Sequence, residues 1–173
     1  MAAEVEFRAV RIDAGDGASL VRAMETEMAE LYADIRGGLD LNAADMPAAG
    51  PAELGPPYGT YLAGYLHGVP VCGGGLKRLS GGACEIKRMY VVPGARGRGL
   101  ARALLRALED AARDLGYSVA RLDTGVRQPH AQRLYESEGY LEIGNFNGNP
   151  GAHYFGEKQL AAELAGDERS DGG

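Results

Sequence analysis

The sequence lacks several residue types that mark particular classes of protein. Among its 173 residues there is no tryptophan, and there are only two cysteines and three histidines. The cysteines, Cys72 and Cys84, flank a predicted hairpin in which Cys84 is expected to lie opposite Arg78 and not opposite Cys72. Because the thiols are few and the histidines are not grouped with them, we predict neither a disulfide nor a metal site.

Long apolar runs are also absent. No stretch reaches the roughly 20 apolar residues that cross a bilayer, and the N-terminus has no basic segment followed by an apolar one. We therefore predict a cytoplasmic protein that does not bind membranes. The net charge of −6 disfavours a nucleic-acid surface, including one built on the arginines between residues 96 and 106, because such a surface needs clustered positive charge. It favours a cationic partner instead.

The length indicates one domain. A chain of 173 residues has room for one hydrophobic core of ordinary size and none for a second. We predict a single domain over residues 1–160, followed by a disordered, acidic and glycine-rich tail over residues 161–173.

The spacing of apolar residues predicts a mixed α/β fold. Three central strands should form an antiparallel meander, in which glycines 73–75 mark a bulge or the close approach of another group. A helix then separates two strands that are expected to run parallel. Residues 37–58, which are rich in helix breakers and small residues, are predicted to form a long loop. The predicted strands are 5–12, 61–66, 71–79, 83–92, 119–124, 140–143 and 153–160, and the predicted helices are 19–35, 98–115 and one that starts near Pro129.

The most informative segment is the glycine-containing stretch at residues 91–101, between a strand and a helix. Gly97 and Gly99 allow backbone N–H groups to turn towards a ligand, and the helix adds the positive end of its dipole. The segment therefore predicts a phosphate-binding site. A Walker A loop is excluded because Leu100 stands where lysine is required. A dinucleotide loop is disfavoured because Arg102 stands where a third glycine is required.

Three blocks of the chain follow one another in the order of a known pattern. Arg96-x-x-Gly99-x-Ala101 fits Arg/Gln-x-x-Gly-x-Gly/Ala, and residues 85–91 form a predicted strand just before it. Residues 128–140 fit Asn-x-x-Ala-x-x-Leu-Tyr-x-x-x-Gly-Phe/Tyr, with glutamine in the first position. In these blocks the chain resembles the Gcn5-related N-acetyltransferase (GNAT) superfamily over roughly residues 4–160. The resemblance implies a central splayed, mixed β-sheet of about six or seven strands flanked by about four helices.

The resemblance also implies the cosubstrate, acetyl-CoA, and no metal. The fourth and fifth strands should splay apart, so that the backbone of the fourth strand binds the pantetheine arm and the glycine loop binds the pyrophosphate. Gln128 departs from the usual asparagine, although its amide can still donate a hydrogen bond to the coenzyme. The residues assigned to the coenzyme on this basis are Met89, Tyr90, Val91, Arg96, Gly97, Arg98, Gly99, Leu100, Ala101, Arg102, Gln128 and Tyr135.

Two residues are predicted to be catalytic. By resemblance, Glu85 is the general base that receives the proton of the amine, and Tyr135 is the general acid that protonates the departing thiolate. Two alternatives stay open. In the alternative interpretations, Glu85 is an ion-pair partner of Lys87 or of a residue on a neighbouring strand at a sheet surface, and Tyr135 is a core tyrosine.

The function that follows is acetyl transfer from acetyl-CoA to a primary amine, by direct attack in a ternary complex. The negative net charge and the long loop favour a small-molecule acceptor. One alternative acceptor is a protein N-terminus or lysine. Another alternative function is that of a CoA-binding regulatory domain without turnover. The resemblance also implies that a homodimer is compatible with the fold, because dimers are common in that family.

Overall fold

The computed structural model of the protein describes residues 4–35 and 38–160. The predicted tail, residues 161–173, lies outside the described residues. The strands are β1 (Glu6–Ala9), β2 (Thr60–Leu66), β3 (Val69–Arg78), β4 (Ala83–Val91), β5 (Val119–Thr124), β6 (Leu141–Glu142) and β7 (Tyr154–Gln159). The helices are α1 (Gly15–Leu31), α2 (Leu100–Asp114) and α3 (Pro129–Ser137), with a short 3₁₀ helix at Pro93–Ala95.

One seven-stranded sheet in the order β1-β2-β3-β4-β5-β7-β6 forms the centre of the molecule. The pairs are antiparallel except for β4 and β5, which run parallel as predicted. The mixed α/β fold is thus confirmed, and the described residues contain three α-helices where about four were expected. The segment before β2, predicted as a long loop, contains turns and no helix within residues 38–59.

The predicted meander of β2, β3 and β4 is also confirmed. Arg78 pairs with Cys84, as the sequence indicated, and both cysteines are free and buried. The register shifts between Gly73 and Gly75, because Arg88 and Met89 together oppose Gly74. One extra residue of this kind bends a strand and changes the direction of its side chains.

Helix α1 differs from its prediction at both ends. The apolar spacing predicted residues 19–35, but the helix begins at Gly15 and ends at Leu31. Leu31 and Ile35 are exposed, and Tyr32, which is 5% exposed, lies on the buried face instead. At Tyr32, which follows the helix, the backbone is no longer helical, with φ −109° and ψ 17°.

The two sides of the sheet carry different layers. Helix α2 covers one side with Leu104, Leu105 and Leu108, which belong to the main core together with Cys84 and Ile86. Helix α1 covers the other side through Leu20 and Met24, next to Tyr90 of β4. None of the helices within the described ranges is long and apolar enough to span a membrane.

Strands β4 and β5 separate after three residue pairs. Their ladder joins Ala83, Cys84 and Glu85 to the first half of β5 and does not continue beyond Glu85. The remaining half of β4, up to Val91, therefore has a backbone edge that no strand of the described residues pairs with on the β5 side. The predicted splay is present, and it opens a cleft in the middle of the sheet.

Candidate active site

A cavity of about 530 Å³ occupies the cleft between β4 and β5. Its walls come from both sides of the sheet: the second half of α1, the segment before β2, β4, the start of α2, the end of β5, α3 and the segment before β7. We call the part formed by residues 96–102 the glycine end. The part formed by Lys87, Arg88 and residues 39–47 is the basic end.

The glycine end presents backbone donors to the cavity. Gly97 and Gly99 have φ angles of +79° and +76°, in the left-handed region that other residues rarely adopt. Within α2 the hydrogen bonds begin where the Ala103 N–H donates to the Gly99 carbonyl at 3.1 Å. The preceding N–H groups of the helix have no intrahelical acceptor. Because a Cβ at either glycine would meet no atom within 4 Å, the space in front of these donors is open.

The arginine side chains of this segment are engaged with carboxylates of the protein. The Arg96 guanidinium donates to both oxygens of Glu27 on α1, at 2.8 and 2.7 Å. Arg102 and Arg106 both donate to Glu138 at the end of α3. Arg98, also assigned to the coenzyme by resemblance, is exposed and is not among the residues that line the cavity. The donors that face the cavity here are therefore mainly those of the backbone.

The middle of the cavity contains most of the other predicted residues. Met89, Tyr90 and Val91 line it from β4, and Tyr90 also belongs to the core cluster under α1. Gln128 lies at the start of α3, with its side-chain oxygen 3.5 Å from the Thr124 hydroxyl, and it too faces the cavity. These residues, which are far apart in the sequence, are brought together by the splay.

Tyr135 projects from α3 into the same space. Its hydroxyl lies 4.0 Å from the sulfur of Met89, and the residue is 7% exposed. Burial, together with the nearby charge of Asp123, raises the pKa of this phenol above its ordinary value of 10. The hydroxyl therefore stays protonated at neutral pH and is available as a hydrogen-bond donor.

Glu85 lies behind the cavity and not on its wall. It is fully buried, and its carboxylate is 3.3 Å from the Lys87 ammonium and 3.8 Å from that of Lys77. The Asn147 amide donates to its other oxygen at 2.7 Å. The ion pairs that the sequence left as an alternative are thus present, in a buried position and not at a sheet surface. The role of Glu85 as a base stays a prediction.

A second carboxylate, Asp123, was not proposed from the sequence. It lies near the end of β5, lines the cavity, and accepts hydrogen bonds from the amides of Asn147 at 2.8 Å and Asn149 at 2.9 Å. Asn147 therefore bridges Asp123 and Glu85. The only sequence signal was the asparagine- and glycine-rich composition of residues 144–151, which indicates turns and does not show what they approach.

The basic end places two consecutive cations on one wall. Neighbouring residues of a regular strand point to opposite faces, but the bulge in β4 breaks this alternation after Lys87. Arg88 has a φ of +61°, and its side chain reaches Glu25 on α1 and Asn42. Lys87 reaches Glu85 on the same side of the sheet, and both cations line the cavity.

The groups around the cavity fit an acyl-CoA. Among residues 4–35 and 38–160, no three side chains of His, Cys, Asp or Glu are grouped so as to hold a metal ion. The unpaired edge of β4 suits an extended chain with amide groups, such as pantetheine, because it can accept a strand-like partner. The free amides at the start of α2 suit a pyrophosphate.

Comparison with known proteins gives one consistent result. The profile of the Acetyltransferase (GNAT) family matches residues 17–140. A protein from Azospirillum brasilense named IAA acetyltransferase is 43% identical over 75 residues, which cover 43% of this chain and 49% of that protein. The match thus spans about half the length of that relative.

Solved structures match over nearly the whole chain. A Klebsiella pneumoniae protein assigned as an acyl-CoA N-acyltransferase has 26% identity and a TM-score of 0.72, with 91% of this chain and 98% of the other covered. The PaiA N-acetyltransferase of Thermoplasma acidophilum, solved in complex with coenzyme A, has the same fold at 14% identity and a TM-score of 0.63, with 90% and 99% covered.

Proposed function

Because the chain belongs to the GNAT acetyltransferase family, as the match over residues 17–140 shows, we propose that it transfers an acetyl group from acetyl-CoA to a primary amine of a small molecule. The amine attacks the thioester carbonyl in a ternary complex, the carbon–sulfur bond breaks, and CoA leaves as the thiol. The observation that carries this proposal is that free amides, an unpaired strand edge and the Tyr135 hydroxyl share one cavity.

The coenzyme spans the glycine end and the middle of the cavity. The amides at the start of α2 bind the pyrophosphate, and the free edge of β4 binds the pantetheine arm. The Thermoplasma relative, which was solved with coenzyme A, supports this use of the fold. This arrangement brings the thioester close to Tyr135, whose protonated hydroxyl donates to the developing thiolate.

The proton of the attacking amine is removed by a carboxylate of the protein, and two carboxylates are candidates. Glu85 was predicted to be the base, but it is fully buried behind the wall. Asp123 lines the cavity, and Asn147 links it to Glu85. A general base must reach the proton that it receives, directly or through one water molecule. We therefore assign this contact to Asp123, with Glu85 holding Asn147 and Lys87 in place.

Direct transfer is favoured over an acyl-enzyme. A covalent route needs a thiolate or another activated nucleophile next to the thioester. Cys72 and Cys84 are fully buried and lie outside the cavity wall. Burial raises the pKa of Cys72 to about 11 and that of Cys84 to about 12, so both stay as unreactive thiols at neutral pH.

A small acceptor fits better than a protein. The segment at residues 38–59 covers the basic end, with Leu39, Leu41, Met46 and Pro47 on the cavity wall. A protein N-terminus or lysine would need an open groove for the flanking backbone. The other alternative, a regulatory domain that binds CoA without turnover, is disfavoured because it has no need of a protonated tyrosine and a carboxylate beside the same cavity.

The first experiment compares thermal unfolding in the presence of acetyl-CoA, CoA, NAD and ATP. A ligand that binds only the folded state raises its stability by RT ln(1 + [L]/Kd). We expect a rise with acetyl-CoA and CoA and none with NAD or ATP. A panel of amines is then screened for CoA release. If neither acetyl-CoA nor CoA stabilises the protein, the proposal fails. If both stabilise it but no amine or protein acceptor releases CoA from acetyl-CoA, the regulatory alternative is favoured.

A further inference from the structure

Arg88 is the most deeply buried of the arginines that form ion pairs among the described residues. Its side chain is 7% exposed, whereas the others range from 30% to 77%. Taking a guanidinium out of water is costly unless partners compensate for it. A buried arginine on the wall of a cavity therefore needs a well-placed anion, either from the protein or from a ligand.

Within residues 4–35 and 38–160, the partners of Arg88 are weak. Its Nη1 lies 3.5 Å from the carboxylate of Glu25 and makes no hydrogen bond. Its Nη2 lies 3.5 Å from the Leu41 carbonyl and 3.4 Å from the Asn42 side chain. Charge-assisted hydrogen bonds are normally 2.7–2.9 Å long, and a guanidinium has five N–H donors. By contrast, Arg96 makes two such bonds to Glu27, at 2.8 and 2.7 Å.

The backbone at Arg88 is also held in an unfavourable conformation. Its φ of +61° lies in the left-handed region, which costs a non-glycine residue roughly 1–2 kcal/mol. Such strain at a cavity wall is typical of functional positions. The bulge that requires it has one clear consequence: Lys87 and Arg88 both reach the basic end.

We infer that the acceptor amine also carries a carboxylate, and that Arg88, with Lys87 beside it, binds this carboxylate at the basic end. The inference rests on the proposed function. It places the two groups of the acceptor at separate points: the carboxylate at Arg88, and the amine between Asp123 and the thioester. The planar guanidinium matches a carboxylate in a two-bond arrangement. The inference also differs from the expectation of a cationic partner, which was based on the net charge of −6. The net charge of the whole chain is negative, whereas the wall at Lys87 and Arg88 is positive.

The test uses primary amines of two to six carbons and compares, at each chain length, three distal groups. The three series are ω-amino acids, their carboxamides and the corresponding diamines. A fourth comparison sets α-amino acids against their amides. CoA release is measured with each at saturating acetyl-CoA. We expect a carboxylate-bearing amine to have a kcat/KM about 10- to 100-fold above that of its amide, as a charge-assisted pair implies. If at no chain length the carboxylate-bearing amine exceeds its amide and diamine in kcat/KM, the inference is wrong while the proposed function stands. If CoA binds but no amine is acetylated, the proposed function itself fails.

Variants of Arg88 give the second readout. In Arg88→Gln the preference for the carboxylate over the amide should disappear, with the KM for the acceptor rising and the KM for acetyl-CoA unchanged. Arg88→Asn serves if the glutamine variant does not fold, because asparagine tolerates a left-handed backbone. Arg78→Gln is the control; it removes the same charge from an exposed arginine that lies over Tyr58 outside the cavity. A rise in the KM for acetyl-CoA in the Arg88 variants would overturn the inference and make Arg88 a coenzyme contact.

Discussion

The glycine end and the basic end of the cavity differ in the atoms that face the ligand. At the glycine end the donors are backbone N–H groups, and the side chains of Arg96 and Arg102 are bound to Glu27 and Glu138. At the basic end side chains face the cavity, and Arg88 is the most buried of them that carries a charge-paired guanidinium. In the function we propose, the glycine end binds the coenzyme through its backbone conformation, which many sequences can provide. The basic end would then select the acceptor through the identity of its side chains.

The largest expected effect comes from substitution of Asp123, the proposed general base. This substitution tests which carboxylate removes the proton from the acceptor amine. Asp123→Asn keeps the shape of the side chain but removes the base, so kcat/KM for the amine should fall about 10³-fold, within the range for general base catalysis. The KM for acetyl-CoA should change little. Activity should recover partly at high pH, where more of the amine is neutral. The measurement is the pH profile of CoA release.

Glu85→Gln is the matched comparison for Asp123→Asn. It leaves Lys77 and Lys87 without their shared carboxylate, so we expect lower thermal stability and a smaller loss of kcat/KM. If the loss instead exceeds that of Asp123→Asn and is rescued at high pH, Glu85 is the base, as the sequence predicted.

Tyr135 lies between the two ends, and its hydroxyl is predicted to act on the thiolate. Tyr135→Phe should lower kcat about 10²-fold and leave CoA affinity intact, because only the proton donor is lost. Since burial raises its pKa, the activity should not fall at high pH until well above the ordinary tyrosine pKa of 10. The readouts are kcat as a function of pH and the CoA dissociation constant.

Tyr154→Phe is the control for this substitution. Its hydroxyl is also buried in the same core but has no hydrogen-bond partner among the described residues. Removing it should leave kcat unchanged. An equal loss of kcat in the two variants would show that the effect of Tyr135 arises from packing and not from its hydroxyl.

The sequence could predict the glycine end because few residues allow its conformation. Gly97 and Gly99 have positive φ angles, which glycine adopts far more readily than other residues do. The residue type therefore indicates the backbone geometry. Asp123 and Asn147 were missed because their contact depends on the tertiary approach of β5 and the segment before β7. Arg88 was missed for a local reason. Its φ of +61° is unusual for a residue other than glycine, and the spacing of apolar residues does not indicate it.

A smaller effect is expected from the glycine end itself. Gly99→Ala places a Cβ where φ is +76°, at a cost of roughly 1–2 kcal/mol. The loop can relieve this strain only by turning its amides away, so the affinity for CoA should fall about 10-fold. The KM for the acceptor should be unchanged. Isothermal titration with CoA measures the loss.

Gly81→Ala separates backbone strain from loss of the ligand. Gly81 has φ +71°, and a Cβ there also meets no atom within 4 Å, but it lies in the turn between β3 and β4, away from the cavity. Its variant should lose stability and keep CoA affinity. If CoA affinity falls equally in both variants, the amides at the start of α2 are not the binding donors.

The smallest effect on the ligands is expected from Glu138, which tests whether the arginines of the glycine end act on the coenzyme or on the protein. The hydrogen bonds from Arg106 and then Arg102 hold the pKa of Glu138 below its usual value. A carboxyl group with a lowered folded-state pKa stabilises the protein above the pKa of the unfolded state, near 4.5, and this stability is lost as the pH falls through the folded-state value.

Glu138→Gln should therefore lower the free energy of unfolding by about 1 kcal/mol at pH 7, because its arginine partners are exposed and screened. At the lowest pH it should have no effect on stability. CoA affinity should change less than threefold. Glu136→Gln controls for the charge, because Glu136 is an exposed neighbour whose carboxylate accepts from the Gln132 amide and forms no ion pair with an arginine of the described residues. If the loss of Glu138 instead frees Arg102 and strengthens CoA binding tenfold, side chains as well as the backbone bind the ligand at the glycine end. The two ends would then no longer differ in using backbone or side-chain donors.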